Sequence, residues 1–276
     1  MTKKSKAKEK PKKKSKKSRK KIKINKYFVV FREAFKSKIL PWLSFFLVTF
    51  LLLLIIFAFG IYLLGWNNHF VQKINQIIPF PVVFIDRDNT VSFNQYNKRI
   101  ETIRNYHDLQ AIIWDIDHYD LAKEEGLNYF EIAKKDTLEK MIEDEVTLML
   151  LDDYELELNQ KEIKAELDKI FKINEGKEKS LEKLQRVYNL NLNQFEKFVV
   201  RPKTAQNKLE NHLIETGEIK NQKQYPKWFA SKLQAYKIII PYSKYYWDKD
   251  RSRLYFTDKN LSAYESQIKS SAPKKD

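Results

Sequence analysis

An uncharged apolar run between Ile39 and Gly65 constrains this chain more than any other feature. No Asp, Glu, Lys or Arg lies within it, and most of its positions are Leu, Ile, Phe or Val. Because an α-helix rises 1.5 Å per residue, about 20 apolar residues span the roughly 30 Å hydrocarbon core of a bilayer. The sequence therefore predicts a transmembrane helix at residues 39–65, in direct contact with lipid.

Aromatic residues mark both ends of this run. Trp42 lies near its start, and Tyr62 and Trp66 lie at its end. Trp and Tyr concentrate at the headgroup level of membranes, because each side chain has an apolar body and a polar tip. We expect these three side chains to lie at the two membrane interfaces.

The excess positive charge of the chain precedes the apolar run in the sequence. Residues 1–38 contain 16 Lys and 2 Arg against two Glu, a net charge of +16 that equals the formal charge of the whole chain. Because basic flanks of membrane helices stay cytoplasmic, we predict a single-pass protein of the cell membrane with a cytoplasmic amino terminus and an extracytoplasmic carboxyl-terminal domain. The alternative is a cleaved signal peptide, since Ala58-Phe59-Gly60 loosely resembles a cleavage site, but signal peptides have shorter apolar runs.

The basic segment itself reads as a mostly disordered tail, because it has almost no apolar residue before Ile22. Its Lys clusters suit anionic lipid or a ribosome as cytoplasmic partners. Non-specific binding to RNA or DNA is the alternative, but the first aromatic residue is Tyr27, so no specific nucleic acid is expected. Residues 27–36 have the pattern of a short interfacial amphipathic helix.

The remainder of the chain has the composition of a helical domain. The chain contains only 5 Gly and no Cys, which excludes disulfides and thiol nucleophiles and argues against a Gly-rich phosphate loop or a β-sandwich. Apolar residues recur at three- and four-residue steps, most clearly over Thr137–Tyr154, and Val82–Ile85 reads as a strand. The predicted fold class is mainly α, with one or two short strands.

Local signals divide this domain into helices. Ser92 with Gln95, and Asn159 with Glu162, have the spacing of capping boxes at helix starts. A bend is expected near Pro202, which lacks a backbone N–H. The predicted organisation is a cytoplasmic tail at 1–38, a transmembrane helix at 39–65, a juxtamembrane linker at 66–80, a helical domain at 81–247 and a partly disordered tail at 248–276.

Pieces of this domain resemble, in the same order, the SurA and PrsA type of bacterial extracytoplasmic chaperones and foldases. The strand and turn at 82–89 followed by Ser92 are similar to the family's opening. Three helical pieces follow, namely Leu138–Val146 (family pattern L-x-x-L-I-x-x-x-L), Leu156–Ile163 (I-x-V-S-D-E-E-V) and Tyr188–Phe195 (Y-G-L-S-L-E-E-F). The segment from Tyr225 to Ile240 resembles the family's closing pattern W-x-x-x-L-x-x-x-x-K-I. The resemblance covers roughly residues 81–240. It implies a helical chaperone domain like the amino-terminal domain of SurA.

Two departures from the family pattern matter. The family's usual glycines are replaced within Asp86–Asn89, at Glu155 and at Asn189, and of these residue types only Asn readily accepts a left-handed backbone. The family's foldases carry a parvulin prolyl isomerase between the helical part and the closing segment, whereas here only Glu215–Gln224 fills that position. The resemblance thus implies a chaperone without the isomerase domain, and no enzyme.

The expected function is a membrane-anchored holdase that grips unfolded or newly translocated polypeptides in an apolar cradle between helices. The candidate client-binding residues are Phe93, Tyr96, Ile142, Val146, Phe195, Phe198, Trp228, Phe229 and Tyr236. For the aromatic residues near the carboxyl terminus, core packing is the alternative role. A scaffold for one folded partner is the alternative function, and a residual prolyl isomerase is a third.

Nothing in the sequence points to catalysis, a cofactor or a metal. The His residues are not paired at the spacing of metal ligands. The acidic residues alternate with basic ones as surface partners on helices, so a pair of carboxylates does not indicate a catalytic site. The local cluster from Trp114 to Asp120 holds three Asp and His118, which could bind a cation through oxygens and an imidazole. A solvated helix end is the simpler interpretation of that cluster.

Overall fold

The computed structural model describes residues 40–66, 68–86, 88–114, 116, 119–173 and 176–271. The basic tail at 1–38 and the interfacial helix predicted at 27–36 lie outside these residues. The chain divides into two compact units, Met1–Ala58 and Phe59–Asp276. The described residues are mainly helical with a few short strands, which confirms the predicted fold class.

The first helix, α1, is Leu40–Tyr62. Its stretch Pro41–Tyr62 is long and apolar enough to cross a membrane, and only 11% of an apolar 18-residue window within it is buried. A core helix of a soluble protein would be mostly buried. The helix thus has the length and composition predicted for residues 39–65, and it is the one candidate membrane span among the described residues.

A second helix, α2, occupies His69–Ile77, within the segment predicted as a linker at 66–80. The Val71 N–H donates to Asn68 Oδ1 at 3.0 Å, which caps the helix. Val71 and Asn75 are buried, and α2 packs on the helix that follows the first two strands. The segment is therefore part of the folded second unit and no linker, because one side of α2 is covered by that unit.

Three short strands form a small antiparallel sheet in the order β2-β1-β3. They are β1 Pro81–Ile85, β2 Asn89–Ser92 and β3 Ile238–Ile239. Phe84 and Ile85 pair with β3, and the Lys237 N–H donates to Asp86 Oδ1 at 2.8 Å while the Asp86 N–H donates to the Lys237 carbonyl. The strand predicted at Val82–Ile85 is confirmed, and its partner comes from about 150 residues later in the chain.

Two long helices build the core. They are α3 Phe93–Trp114 and α4 Glu124–Asp153. The Ser92 and Gln95 side chains each accept a backbone N–H of the other, so the predicted capping box is confirmed. The helix predicted from Thr137 is 13 residues longer at its start, because Phe130 and Ile132 extend the buried face toward Glu124.

Further helices pack around α4. They are α5 Gln160–Ile173, α6 Lys177–Tyr188, α7 Leu192–Phe195 and α8 Arg201–Glu215, with a π-helical segment Glu196–Val200 between α7 and α8. The capping box of Asn159 and Glu162 is confirmed. In the π segment the Arg201 N–H donates to the Glu196 carbonyl, five residues back. The irregularity falls where Pro202 removes a backbone donor and crowds the preceding turn.

The described residues end in a helix, a hairpin and a further helix. These are α9 Tyr225–Leu233, β4 Tyr245–Asp248, β5 Arg253–Phe256 and α10 Lys259–Ser271. The domain boundary predicted at Trp247 falls inside β4, so residues 248–271 belong to the fold. These residues fold onto the domain because Leu254 and Phe256 are buried and the Leu254 N–H donates to Glu139 Oε2 of α4 at 3.0 Å.

Glu155, just past the end of α4, has a left-handed backbone with φ of 54°. The Leu156 N–H donates to the Leu151 carbonyl at 2.8 Å, as in a Schellman helix end, where glycine is the usual residue. We expect Glu155→Gly to raise the free energy of unfolding by about 0.5–1 kcal/mol, because the relief of left-handed strain outweighs the greater freedom of unfolded glycine. Urea titration measures this change. The matched control is Glu157→Gly, an exposed position without positive φ, where a gain in stability would contradict the explanation.

Candidate functional site

Three adjoining cavities form one groove, here called the helical groove. Their volumes are about 490, 470 and 470 Å³. The first two share Thr102, Ile103, Leu190 and Val199, and the third joins them at Arg99 and Phe198. The groove runs between α3, α4, α6 and the π segment. Residues 99, 103 and 106 line the groove from one side of α3, because residues spaced four and three positions apart lie on the same face of a helix.

One end of the helical groove is apolar. Tyr106 and Tyr188 stack there with ring centroids 5.8 Å apart and planes 6° apart. Leu184 and Leu190 line the same cavity and are buried, whereas Val199 is 44% exposed. An exposed β-branched side chain above a packed apolar floor leaves apolar area open to a bound segment.

Arg99 divides the apolar end from a polar end. Its Nη1 lies 2.9 Å from Asp144 Oδ2, and its guanidinium carbon lies 5.4 Å from the centroid of the Phe198 ring. The ion pair is mostly buried, with side chains 16% and 8% exposed. Because the guanidinium is held by both a carboxylate and a ring face, Arg99 is a fixed charge in the middle of the groove.

Charges of both signs line the polar end. Glu145 lies near Lys197 and Arg201, and Glu196 lines the same cavity. Burial raises the pKa of Glu145, and the neighbouring charge of Asp144 adds to this, whereas Arg201 and Lys197 partly oppose it. The mixed lining suits the polar backbone and charged side chains of a peptide better than it suits one class of small ion.

The predicted client-binding residues lie in three different places. Only Phe195 and Phe198 line the helical groove. Five pack the core and cannot contact a client in this fold, namely Phe93, Tyr96, Ile142, Val146 and Phe229. Their apolar spacing was a signal of burial and not of exposed area.

Trp228 and Tyr236 belong to an aromatic cluster near the end of α4. The Trp228 ring lies 6.3 Å from that of Tyr154, and Lys232 Nζ lies 5.1 Å from the Trp228 centroid. The Tyr236 hydroxyl donates to Asp153 Oδ2 at 3.3 Å. Burial, reinforced by the charge of Asp153, raises the pKa of Tyr236 to about 12. The cluster is separate from the groove, so the nine predicted residues do not form one surface.

The predicted interface residues differ in their surroundings. Trp42 is exposed on α1, whereas the Tyr62 hydroxyl donates to the Pro81 carbonyl at 2.8 Å and its ring lies 5.8 Å from that of Phe93. Trp66 folds back over Gly60, where an added Cβ would lie 2.2 Å from the indole ring. Tyr62 and Trp66 are both part of the second unit, and these contacts lie within it.

A smaller cavity of about 200 Å³ lies beside Trp66 and α2. It is polar, since Asn75, Glu131, Lys134 and Lys244 line it, and Lys134 Nζ lies 2.6 Å from Glu131 Oε1. Burial lowers the pKa of Lys134, although Glu131 opposes this. The cavity is unsuited to apolar segments, so the helical groove is the candidate site for them.

Metal ligands do not assemble in the described part of the chain. Among those residues no group of three or more His, Asp or Glu is placed to hold a metal ion. In the cluster predicted from Trp114 to Asp120, Asp115, Asp117 and His118 lie outside the described residues. His107 is buried among aromatic rings, with Tyr119 at 5.0 Å and Phe130 at 5.5 Å between centroids.

The sequence did not single out Arg99, Tyr106, Tyr188, Leu190 or Val199 as site residues. The first two could have been found, because with Ile103 they follow the helical period beside the apolar face of α3. Tyr188, Leu190 and Val199 reach the groove only because α6 and the π segment pack near α3, and no local sequence pattern indicates that packing.

Comparison with known protein families, with curated proteins and with solved structures gave no match for this chain. The resemblance to the SurA and PrsA type therefore stays a prediction from the residues.

Proposed function

We propose that this chain is a membrane-anchored chaperone of the SurA and PrsA type that lacks the isomerase insert and holds unfolded secreted or membrane polypeptides in the helical groove. The single observation that carries the proposal is the groove itself, which joins open apolar area at Val199 to a mixed-charge end around Arg99. Unfolded segments need adaptable apolar contact and no exact geometry.

Backbone conformation supports the relationship to this family. Asp86, Glu155 and Asn189 have φ of 52°, 54° and 51°, and glycine is usual in the family at the corresponding places. Such a backbone costs most residues with a Cβ roughly 1–2 kcal/mol, and Asn and Asp less. A chain that keeps the conformation without glycine is consistent with descent from a fold in which these turns were already fixed.

The closing strand gives independent support. Ile238 and Ile239 lie in the segment that resembles the family's closing piece, and they pair with Ile85 and Phe84 of the opening strand. The pieces that resemble the family thus lie within one folded unit. Between Glu215 and Tyr225 only a short connection with one turn of 3₁₀ helix is present, which supports a chaperone without an inserted domain.

The proposed location follows from the apolar helix and its basic flank. Residues 39–65 would cross the cell membrane once, with the basic tail in the cytoplasm and the second unit outside. Clients would then be chains emerging from translocation. The tail would contact anionic lipid or ribosomes on the opposite side from these clients.

Suppression of client aggregation tests the function. The full chain in nanodiscs should slow the aggregation of a chemically denatured protein, and Val199→Lys should lose most of that effect, because a charge would stand over the apolar end of the groove. Since Val199 is 44% exposed, this substitution should change the free energy of unfolding by less than about 0.5 kcal/mol.

The matched control is Ile112→Lys, an 81% exposed apolar position outside the groove, which should protect the client as the wild type does. Equal protection by both variants would exclude the groove as the client site. Acceleration of a proline-limited refolding reaction would instead indicate isomerase activity.

A further inference from the structure

The helix α2 has a wider apolar face than the second unit covers. Successive residues of a helix are offset by about 100°, so Phe70 and Ile77, seven residues apart, lie on one side, and Val71 and Asn75 lie on the next. Val71 and Asn75 are 1% exposed, whereas Phe70 is 64% and Ile77 81% exposed. Ile74 falls between the two sides and is half-buried. The apolar face therefore continues beyond the part that packs against the unit.

The flanks of this exposed side are those of an interfacial helix. Lys73 is exposed and lies next to Ile77 around the helix, while Gln72 and Gln76 occupy the polar side. Lys residues beside an apolar face can extend along it and keep the ammonium group at the headgroup level.

The preceding residues continue the exposed apolar surface. Leu63 and Leu64 are more than half exposed, and Trp66 is 42% exposed. Only residues 63–68 separate α1 from α2, and six residues reach at most about 20 Å.

The last turn of α1 is also built into the second unit. Ile61 is 1% exposed, and the Ser243 N–H donates to the Tyr62 carbonyl at 3.2 Å. The second unit consequently begins within the apolar stretch, at Phe59.

We infer that α2 lies in the outer membrane interface, with Phe70, Ile74 and Ile77 against the boundary between lipid headgroups and acyl chains. This inference rests on the proposed membrane anchor. A lipid surface fits better than a second copy of the chain, because a stable protein interface needs roughly 800 Å² from each partner, whereas this side presents two large exposed side chains. Because α2 packs on α3, which forms a wall of the helical groove, the contact would hold the groove close to the membrane surface.

Single-cysteine labelling tests the contact, since the chain has no native Cys. The full chain is reconstituted in phospholipid nanodiscs with an environment-sensitive fluorophore at Phe70→Cys, Ile77→Cys, Leu52→Cys or Ile112→Cys. Ile77 and Ile112 are matched, because both are Ile and both are 81% exposed. Ile112 lies about 30 Å along α3 from its start.

Labels at 70 and 77 should show blue-shifted emission and quenching by nitroxide lipids, as the label at 52 should. The label at 112 should show the emission of a water-exposed fluorophore and no such quenching. Quenching at 52 with water-like signals at 70 and 77 would overturn the inference and leave the membrane anchor intact. A water-like signal at 52 would reject the anchor and the inference with it. Shielding at 70 and 77 without quenching by nitroxide lipids would indicate contact with a second copy, which also overturns the inference.

Discussion

Lys135→Ala should lower the free energy of unfolding by about 3 kcal/mol, a large effect for a lysine. Lys135 is 2% exposed, and its Nζ lies 2.8 Å from Asp136 Oδ1, 3.2 Å from Glu265 Oε1 and 3.7 Å from Glu139 Oε2. Removal of the buried cation leaves Glu265 with Lys269 as its remaining partner and takes one ion pair from Glu139, and the loss of one partner of a buried ion pair costs several kcal/mol. The loss should concentrate in the carboxyl-terminal hairpin and α10, because Glu139 and Glu265 connect these elements to α4.

The matched control for this variant is Lys140→Ala on the same helix. Lys140 also contacts two carboxylates, those of Glu143 and Asp144, but its side chain is 54% exposed. The Lys140 side chain is exposed and the buried Asp144 keeps its ion pair with Arg99, so this variant should change the unfolding midpoint little. Equal losses for the two variants in guanidinium titrations, or unchanged hydrogen exchange in α10 of Lys135→Ala, would show that the buried network does not stabilise the carboxyl-terminal elements.

The second large effect is a loss of folding stability at alkaline pH. Burial raises the pKa of Tyr96 and of Tyr245 well above the usual value near 10, and their hydroxyls lie 3.3 Å apart in the core. Above pH 10 the unfolded tyrosines release their protons, whereas the folded ones keep theirs. The unfolded state then binds fewer protons, so stability falls as pH rises, by about 1.4 kcal/mol per pH unit for each tyrosine.

The charge of Lys135 adds to this loss with the same sign. Burial lowers its pKa, but the three neighbouring carboxylates more than offset that effect, so the pKa is raised overall. A raised lysine pKa stabilises the fold below about pH 10.5 and ceases to do so as pH rises through the folded value.

Guanidinium titrations between pH 8 and 11 measure the combined slope. The double variant Tyr96→Phe, Tyr245→Phe should make it shallower, because it removes both buried hydroxyls together, whereas Lys135 and the raised pKa of Tyr236 keep part of the slope. Its stability at pH 8 should change little. A wild-type stability that stays constant up to pH 11, or an equally steep slope in the double variant, would mean that these tyrosines ionise in the folded state.

Local features of the fold could be predicted because local physics determines them. The capping boxes at Ser92 and Asn159 each depend on one pair of residues three positions apart, and the strand at Val82–Ile85 is a short β-branched run beside a turn. The length of the apolar run determines α1 in the same way. No packing information was needed for any of these elements.

Other elements depend on distant parts of the chain. The hairpin and α10 are stabilised by contacts with Glu139 and Lys135, more than 100 residues earlier. Local sequence does not show such contacts, so this segment was predicted as a tail. Lys135 itself follows the ordinary alternation of helix surface charges, and nothing in that alternation distinguishes a buried lysine from exposed ones. The segment at 66–80 likewise becomes a packed helix only because Val71 finds a covered site.

The groove could be predicted only in part. Phe195 and Phe198 were identified, but an apolar helical period indicates burial and does not show which apolar residues remain open. Val199 is open because the π segment turns it outward beside two buried leucines, and that turn depends on Pro202 and on the packing of α5 and α8. Exposed area is thus a property of the assembled helices.

Site-specific crosslinking from the groove tests the central claim most directly. A photoreactive amino acid is placed at Val199 or at Ile112 in the full chain, and several unrelated proteins are offered both unfolded and folded. The account predicts crosslinks from position 199 to many of the unfolded chains, few to the folded ones, and few from position 112 in either case. Capture of a single folded partner at defined positions would contradict the proposed chaperone function and favour a scaffold, and equal capture from 199 and 112 would exclude the groove as the client site.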